Sequence, residues 1–405
     1  MAAVVRLSCA VNNYHWGKRG LSSKAAQFAA ACNPGAVIDA QQPYAELWMG
    51  THPSGPSRVL GSDTELAELI AADPAAMLGP AVAAAYGGQL PFLFKVLSIE
   101  KALSIQAHPD KALAQQLHRD RPGVYKDGNH KPEMAVALTE FTAMSGFRPL
   151  PEIARYLDEY PELRALVPSA AAFQRAVGGG DAEAERAALK TLFAELMTAD
   201  AAAVGAQLAR LLERTGGSAR AEDRLARQLS SEYPGDVGVF CVFVLNVLRL
   251  APGEAFFMGP NDPHAYVSGD CVECMATSDN VVRAGLTPKL RDVPVLLDML
   301  TYAHGAPDAK LLRPAAAGAS LLYDPPIDEF SVLATRLAPG CADALPPSPG
   351  PRILIATEGA GSLTADGEAH ALAPGAVFFV RPGTAVTLAA APDQPQPLVT
   401  YTAQC

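Results

Sequence analysis

The sequence has no excess of basic residues and no long hydrophobic run, and each shortage excludes a class of protein. Lysine and arginine number 32 against 42 aspartate and glutamate residues, so the formal net charge is −10. Nucleic acid bound through a basic surface is therefore not an expected partner. The longest apolar run, residues 237–245, has about half of the roughly 20 residues that a membrane-spanning helix needs. No membrane segment is expected either.

Cysteine is also scarce. The seven cysteines are odd in number and scattered, and the chain does not open with a cationic stretch followed by an apolar one. This pattern predicts free thiols in a reducing compartment, the cytoplasm, rather than secretion. Cys271 and Cys274 have C-x-x-C spacing, but no second such pair follows at the distance of a zinc ribbon, so a metal there is not expected.

The chain is long enough for several domains, and it contains three stretches that differ in residue composition and pattern. At roughly 150 residues per domain, 405 residues predict two to three domains. Residues 1–150 are short apolar runs separated by Gly, Pro and Asn, which is typical of strands and turns. Residues 151–234 are rich in Ala, Leu, Glu and Arg, and the strand texture returns at residue 235. We expect a helical insert of four or five helices within a mainly β protein of the α+β class.

One predicted helix of the insert has a clear start and a clear buried face. Asp181 follows three glycines and can cap the helix. Apolar residues then recur at the spacing of one helix face. They are Leu189, Leu192, Phe193, Leu196 and Met197.

The strand-rich part contains an internal repeat. Residues 250–260 (LAPGEAFFMGP) and 372–382 (LAPGAVFFVRP) are identical at seven of eleven positions. In each copy a Pro-Gly turn leads into a short apolar strand that a second proline ends, which is typical of a jelly-roll barrel. Chance similarity in an Ala- and Pro-rich chain is the alternative. The preceding run, residues 237–247, is too apolar to have a solvated face and predicts a buried strand.

Three separated segments carry residues that could bind a metal. In an extended strand Ser104, Gln106 and His108 share one face, as do His264 and Tyr266 further along. Pro132 forces an extended backbone that brings Lys131 and Glu133 to one side. Taken singly, these segments could equally be an edge strand, a surface turn and a loop. Together they supply two imidazoles, one carboxylate and one amide oxygen, a plausible ligand set for a divalent metal.

Seven blocks of the sequence resemble the type I mannose-6-phosphate isomerases. They occur in the family's order over about the first three hundred residues, whereas the last hundred match only in pattern. The blocks are residues 16–17 (WG), 44–53 (YAELWMGTHP), 92–97 (FLFKVL), 106–111 (QAHPDK), 125–134 (YKDGNHKPEM), 263–266 (PHAY) and 278–289 (SDNVVRAGLTPK).

The resemblance implies a fold of two cupin-type jelly-roll barrels plus an all-α domain. The metal-binding barrel would comprise residues 1–150 and 235–305, the helical insert residues 151–234, and a metal-free barrel residues 306–405. It also implies one Zn²⁺ per chain and a catalytic Arg283. The implied zinc ligands are Gln106, His108, Glu133 and His264.

The activity that the resemblance implies is the interconversion of mannose 6-phosphate and fructose 6-phosphate through an enediolate. Arginine cannot be the base at neutral pH. We expect Glu273 in that role, with Lys131, His130 and Asp279 as alternates, while a structural ion pair with Arg283 is the other interpretation of Glu273. Substrate and phosphate contacts are expected from Ser104, Lys95, Lys289, Tyr266 and Asp279.

Two other functions remain open at this point. Two histidines and a carboxylate can also hold iron, as in a cupin dioxygenase. A sugar-binding regulator without chemistry would keep the fold as well. We expect a monomer with a phosphosugar as its only partner. Because that substrate is an anion and the chain is acidic, Lys95, Lys131, Arg283 and Lys289 are expected to make the binding cleft positive.

Overall fold

The structure, a computed structural model, describes residues 2–405. These residues form strands, α-helices and three short 3₁₀-helices. The strands are β1 (Val4–Ser8), β2 (Ala10–Asn12), β3 (Lys18–Arg19), β4 (Pro43–Tyr44), β5 (Glu46–Met49), β6 (Arg58–Val59), β7 (Phe92–Ile99), β8 (Ile105–Ala107), β9 (Glu133–Ala137), β10 (Phe141–Phe147), β11 (Leu245–Leu250), β12 (Ala255–Met258), β13 (His264–Ala276), β14 (Val282–Gly285), β15 (Leu311–Leu312), β16 (Ala315–Ala317), β17 (Ser320–Tyr323), β18 (Ser331–Leu337), β19 (Ala342–Leu345), β20 (Arg352–Glu358), β21 (Gly361–Ala365), β22 (Glu368–Leu372), β23 (Val377–Val380), β24 (Val386–Ala390) and β25 (Leu398–Gln404).

The helices lie between the strands and in one long insertion. The α-helices are α1 (Lys24–Cys32), α2 (Leu66–Ala72), α3 (Pro74–Leu78), α4 (Pro80–Ala85), α5 (Lys111–Asp120), α6 (Leu150–Glu159), α7 (Pro161–Arg164), α8 (Ala170–Val177), α9 (Ala182–Met197), α10 (Ala201–Thr215), α11 (Ala221–Glu232) and α12 (Val293–Met299). The 3₁₀-helices are Gly20–Ser22, Val237–Phe243 and Pro307–Lys310. None of the helices formed by residues 2–405 has both the length and the apolarity needed to cross a bilayer.

The long strand β13 organises the sheet that will carry the site. Its first half pairs with β10 and β8, and its second half pairs with β7 and β9. The change of partners falls at Gly269, whose φ is +114°. An added Cβ there would lie 2.5 Å from the carbonyl oxygen of Glu140, so only glycine allows β13 to pass this point. The whole sheet has 11 strands, all of whose pairings are antiparallel.

Alternation along β7 and β13 separates an apolar face from a polar one. Phe94, Val96 and Val272 point into a core that is shared with a second large sheet. Their neighbours Lys95 and Glu273 point to the opposite face. The same strands therefore hold the two sheets together and present ionisable groups to a cavity.

The second large sheet has eight strands and contains both ends of the described chain. β1 pairs with β23, and β25 pairs with β18 and β20. One face packs on the 11-stranded sheet, while the other packs on a four-stranded sheet of β19, β24, β21 and β22. Three short strands cross the domain bounds expected from the sequence: β1 and β6 lie in this sheet, and β15 pairs with β12 of the other.

The helical insertion contains six helices, α6 to α11, rather than four or five. The extra helix is α7, a single turn set apart from α6 by Pro161. The details predicted for α9 are confirmed: the Asp181 carboxylate accepts from the backbone N–H groups of Glu183 and Ala184. The five apolar residues named from the spacing are the buried residues of α9.

The buried strand predicted at residues 237–247 is wrong in its first half. Val237–Phe243 is a 3₁₀-helix, and strand β11 starts only at Leu245. All seven residues of that helix are buried. An apolar run without a period indicates burial but not conformation, and here the Asp236 side chain accepts from the N–H of Gly238 and starts a helical turn.

The internal repeat is confirmed as a structural repeat. In the first copy β11 ends at Leu250 and β12 begins at Ala255, and in the second β22 ends at Leu372 and β23 begins at Val377. The turn glycines, Gly253 and Gly375, have φ values of +86° and +88°. Equal spacing and equal left-handed glycines make the same strand-turn-strand unit twice: the first copy lies within the 11-stranded sheet, and the second connects the four-stranded sheet to the eight-stranded one.

Candidate active site

The register of three adjacent strands places three predicted site residues side by side. Arg283 of β14 is paired with Gln106 of β8, and Gln106 is paired with His264 of β13. Directly opposite residues in an antiparallel pair point to the same face. These side chains therefore share one side of the sheet although more than 170 positions separate Gln106 from Arg283 in the sequence.

The strand predicted around Gln106 is shorter than expected, because β8 spans only Ile105–Ala107. An apolar face of Leu103, Ile105 and Ala107 is expected opposite Ser104 and Gln106 from their alternation. Ile105 and Ala107 do point into the apolar core beneath the helices, but Leu103, which precedes the strand, lines the cavity. Ser104 and Gln106 line the cavity too, whereas His108, the third residue expected on this face, lies beyond the end of β8 and is fully buried.

His108, Glu133 and His264 form a buried cluster with the geometry of a metal centre. Their ligating atoms lie within 4.8 Å of one another. The Glu133 Oε2 atom is 3.3 Å from His108 Nε2 and 3.2 Å from His264 Nε2. The three residues are at most 2% exposed. Two imidazoles and one carboxylate facing a common point are the ligands of many divalent metal sites.

The hydrogen bonds behind the two imidazoles test whether a cation fits. His108 Nδ1 lies 2.6 Å from the carbonyl oxygen of Asn280, and His264 Nδ1 lies 3.0 Å from that of Asp262. A carbonyl only accepts, so Nδ1 carries the proton in both rings. Burial lowers the pKa of His108 to about 4, so its ring is neutral.

The Nε2 atom of His108 consequently carries a bare lone pair. The Nε2 atoms of both rings are buried and make no hydrogen bond, although each lies at ion-pair distance from Glu133. A lone pair aimed at a carboxylate oxygen is repelled by it unless a cation lies between them. The residues therefore fit a divalent metal. Gln106, half-buried and paired in register with His264, can add an amide oxygen as fourth ligand.

A cavity of about 370 Å³ opens beside this cluster. It brings together ten of the thirteen residues named for the site from the sequence, while His108, His130 and His264 are not among its lining residues. The ten are Lys95, Ser104, Gln106, Lys131, Glu133, Tyr266, Glu273, Asp279, Arg283 and Lys289.

Lys95 lies at the bottom of the cavity between two carboxylates. Its Nζ is 3.2 Å from Glu273 Oε2 and 3.7 Å from Glu46 Oε2, and it lies 5.0 Å from the centre of the Trp48 ring. Burial alone would lower the pKa of Lys95, but the two carboxylates outweigh it and raise that pKa. Lys95 is thus a fixed, charged ammonium that already has anionic partners.

Glu273 is held by two donors. The Tyr266 hydroxyl donates to Glu273 Oε1 at 2.6 Å, and Lys95 contacts the other oxygen. Burial raises the pKa of Glu273, and Lys95 opposes that rise. The ion pair of Glu273 is made with Lys95 and not with Arg283, so that interpretation from the sequence was wrong. Glu273 and Arg283 both line the cavity, but β13, which carries Glu273, pairs with β7 at this position and not with β14, which carries Arg283.

Arg283 and Lys289 are the cations left free for a ligand. Within residues 2–405 neither side chain has a hydrogen-bond or ion-pair partner. Arg283 is half-buried, and burial without a compensating carboxylate lowers its pKa. Lys289 is exposed in the loop after β14.

The segment before β9 separates Lys131 from His130. Lys131 Nζ contacts Glu133 Oε1 at 3.2 Å, which confirms that the two side chains share a face. His130 points the other way and binds Glu329 from the C-terminal part of the chain. His130 is therefore not in the cavity and is excluded as a base, because neighbouring residues of an extended backbone face opposite sides.

The cleft is not the positive one that the sequence predicted. Four cationic side chains, Lys95, Lys131, Arg283 and Lys289, line it together with four anionic ones, Glu46, Glu133, Glu273 and Asp279. Asp279 also lies 3.4 Å from His52, and that contact lowers the pKa of Asp279. The numbers of positive and negative side chains are equal, but the charges are not evenly paired. Lys95 and Lys131 contact carboxylates, whereas Arg283 and Lys289 contact none in the described part of the chain.

Sequence reasoning assigned no role to Glu46, Trp48 and His52, which also line the cavity. Glu46 accepts from the Trp48 indole N–H and faces Lys95. Glu46 and Trp48 are two positions apart in β5 and therefore share one face of the strand. A carboxylate on the same face as a tryptophan in an otherwise apolar strand was the one local sign that Glu46 belongs to the site. Their partner Lys95 lies 47 positions beyond Trp48, which no local pattern reveals.

A buried His-Glu-His cluster beside a cavity lined by acids, bases and free cations defines a metal-binding enzyme with a small-molecule site. Family models agree with this class and narrow it. Residues 4–150 match the catalytic domain of type I phosphomannose isomerase, residues 167–245 its helical insertion domain, and residues 320–368 its C-terminal model. Residues 352–403 also match an AraC-like ligand binding domain.

Curated proteins and solved structures give the same result over the full length. The chain is 45% identical to a mannose-6-phosphate isomerase of Schizosaccharomyces pombe, with 99% of each chain covered. It is 47% identical to a mannose-6-phosphate isomerase of Bos taurus over 82% of this chain and 81% of that one. A crystal structure of mannose 6-phosphate isomerase bound with zinc and yttrium superposes with a TM-score of 0.86 at 32% identity, covering all of both chains. The chain belongs to the type I phosphomannose isomerase family.

Proposed function

We propose that this protein is an isomerase that interconverts mannose 6-phosphate and fructose 6-phosphate. The observation that carries the proposal is the cavity itself, where the His108–Glu133–His264 cluster lies beside a carboxylate of raised pKa and two unpaired cations. Full-length relatives at about 45% identity have that activity in their names. A dioxygenase is not favoured.

The metal is proposed to be one Zn²⁺ per chain, held by Gln106, His108, Glu133 and His264. When bound, it supplies a positive charge that polarises the sugar's carbonyl and hydroxyl oxygens and stabilises negative charge developing on them. The bare Nε2 atoms and the amide oxygen available beside them support this ligand set.

Proton transfer is proposed to use Glu273. The reaction moves a proton between C1 and C2 of the sugar, so one group must take it from the carbon and return it to the neighbouring one. The carboxylate of Glu273 is buried in the cavity, and its raised pKa brings it nearer to the working pH of a base. The Tyr266 hydroxyl and Lys95 fix its orientation. Lys131, next to Glu133, can exchange a proton with a sugar hydroxyl.

Binding of the anionic substrate is assigned to the free cations. Arg283 is half-buried beside Gln106 and can donate two parallel hydrogen bonds to an oxyanion or to sugar hydroxyls. Lys289, exposed at the mouth of the cavity, is the proposed contact for the phosphate, together with Ser104. Lys95 is better suited to holding Glu273 and the sugar than to binding the phosphate, because Glu46 and Glu273 already balance its charge. Asp279 and Tyr266 are proposed to contact sugar hydroxyls.

We also propose that the two β-rich parts are cupin-type barrels with the bounds expected from the sequence except at β1, β6 and β15, that the chain acts as a monomer, and that it works in the cytoplasm. The repeated strand-turn-strand unit supports the two barrels. Light scattering coupled to gel filtration tests the monomer.

The decisive experiment compares isomerase activity on mannose 6-phosphate with that on unphosphorylated mannose, beside elemental analysis of the purified protein. We expect activity on the phosphosugar only, with one zinc per chain. Oxygen uptake without isomerisation would point to a dioxygenase. Tight sugar binding without turnover would point to a regulator, and either result would overturn the proposal. His264→Ala serves as the control and is expected to lose tightly bound metal.

A further inference from the structure

The Asp127 carboxylate joins two loops beside the metal-binding cluster. Its Oδ1 accepts from the Ser278 hydroxyl at 2.8 Å and from the Asn129 backbone N–H at 2.9 Å. Its Oδ2 accepts from the backbone N–H of Asp279 at 2.8 Å. The loop that precedes Lys131 is thereby tied to the loop that follows β13.

Asn280 doubles this connection and is itself buried. Its side-chain amide donates to the Asp127 backbone oxygen at 2.7 Å, to Asp127 Oδ1 at 3.2 Å and to the Asn129 carbonyl at 2.9 Å. Its backbone N–H donates to the Ser278 hydroxyl. The position of Asn280 is therefore set by Asp127 and by groups that Asp127 holds.

The backbone carbonyl of Asn280 in turn orients His108. The Asn280 carbonyl accepts from His108 Nδ1 at 2.6 Å and so decides which ring nitrogen carries the proton. Only with the proton on Nδ1 is Nε2 free to face Glu133 and His264. A continuous path of hydrogen bonds runs from Asp127 through Asn280 to the bare nitrogen of His108.

The same carboxylate also positions cavity residues. Asp279 is held by its backbone N–H, and Lys131 follows two residues after Asn129. Asp127 itself does not line the cavity among the described residues. Any effect that it has on the site must therefore pass through the residues that it holds.

We propose that Asp127 is a positioning residue that fixes the Nδ1–H tautomer and the orientation of His108 through Asn280, and thereby sets the affinity of the cluster for a divalent metal. This inference rests on the proposed metal site. Replacing a group that orients a ligand from behind typically lowers metal affinity 10- to 100-fold. We expect a loss in that range for Asp127→Ala, and a smaller one for Asp127→Asn, which keeps an oxygen for Ser278 but turns an amide toward the Asp279 N–H.

The test measures zinc affinity and the tautomer separately. Metal-free protein is titrated with Zn²⁺ in competition with a chromophoric chelator, and ¹⁵N-histidine-labelled metal-free protein is studied by long-range ¹H–¹⁵N correlation at pH 7.5. The resonances of His108 are identified by their absence in His108→Ala. The wild type should show the Nδ1–H form, and Asp127→Ala a mixture of both tautomers.

Two controls separate the possible failures. Asp223→Asn removes a buried carboxylate that accepts from Tyr160 in the helical insertion, so it weakens the fold away from the site and should leave zinc affinity unchanged. Unaltered affinity in His108→Ala would overturn the metal site itself. Lost affinity in His108→Ala, combined with wild-type affinity and a pure tautomer in Asp127→Ala, would overturn the role of Asp127 alone.

Discussion

Removing the charge of Lys95 should destabilise the protein strongly, because two buried carboxylates depend on it. Lys95, Glu273 and Glu46 are 6%, 3% and 7% exposed, so water in the cavity reaches little of any of them. The replacement Lys95→Met keeps most of the side-chain volume and removes only the charge. Removing one partner of a buried ion pair costs about 3–5 kcal/mol. We expect the free energy of unfolding of the metal-free protein to fall by that amount at pH 8.

The pH dependence of this loss has a definite sign. Burial already raises the pKa of Glu273 above its value in the unfolded chain, and removal of Lys95 raises it further. A carboxyl with a raised pKa in the folded state destabilises the protein fully above that pKa, and the penalty vanishes as pH falls below the unfolded value. The difference between Lys95→Met and the wild type should therefore be larger at pH 8 than at pH 5.

Urea unfolding followed by fluorescence at both pH values measures the difference. Lys190→Met is the matched control, since Lys190 pairs with Asp298 at 3.1 Å on the exposed surface and such a pair contributes about 0–1 kcal/mol. Adding Glu46→Gln to Lys95→Met should restore part of the stability. A loss below about 1 kcal/mol, or an equal loss at both pH values, would refute the view that Lys95 neutralises these carboxylates.

Three further changes test the proposed roles in the cavity. Arg283→Ala should lower kcat about 10²–10³-fold. Metal content and stability should be retained, because the side chain has no protein partner among the described residues to leave unpaired. Steady-state kinetics measures the loss in kcat and elemental analysis measures the zinc content, and a loss of zinc would contradict the assigned role of Arg283. Glu273→Gln keeps the shape and removes the base, so a kcat within a few-fold of the wild type would exclude Glu273 from that role. Lys289→Ala should raise KM for mannose 6-phosphate more than it lowers kcat, and an unchanged KM would move the phosphate contact elsewhere.

The pairing of charges in the cavity explains why the Lys95 prediction concerns stability while the Arg283 and Lys289 predictions concern catalysis and substrate binding. Lys95 and Lys131 are paired with carboxylates, so changing Lys95 affects stability first. Arg283 and Lys289 are unpaired, so their loss should affect substrate and leave the fold intact. A protein with a net charge of −10 can receive an anion in this way without a positive cleft, because only the cations near the ligand need to be free.

Local chemistry made much of the fold predictable. The helix α9 followed from its capping aspartate and from an apolar spacing that a short segment contains in full. The repeated unit followed from two turn glycines and their prolines. The conformation of Val237–Phe243 could not be predicted, because an apolar run is compatible with a strand or a helix. Here the hydrogen bond from the Gly238 N–H to the Asp236 side chain favours the helical turn.

The sequence by itself determined which chemical groups are present: the imidazoles, the carboxylate and the amide for a metal, and the family to which their motifs belong. Only the tertiary structure decided which of them meet. The partners of Lys95, the exclusion of His130 and the connection from Asp127 to His108 all depend on strand register and on loops packed across 47 to 199 positions of chain. Register is set by the burial of whole sheet faces, a property that no short segment carries.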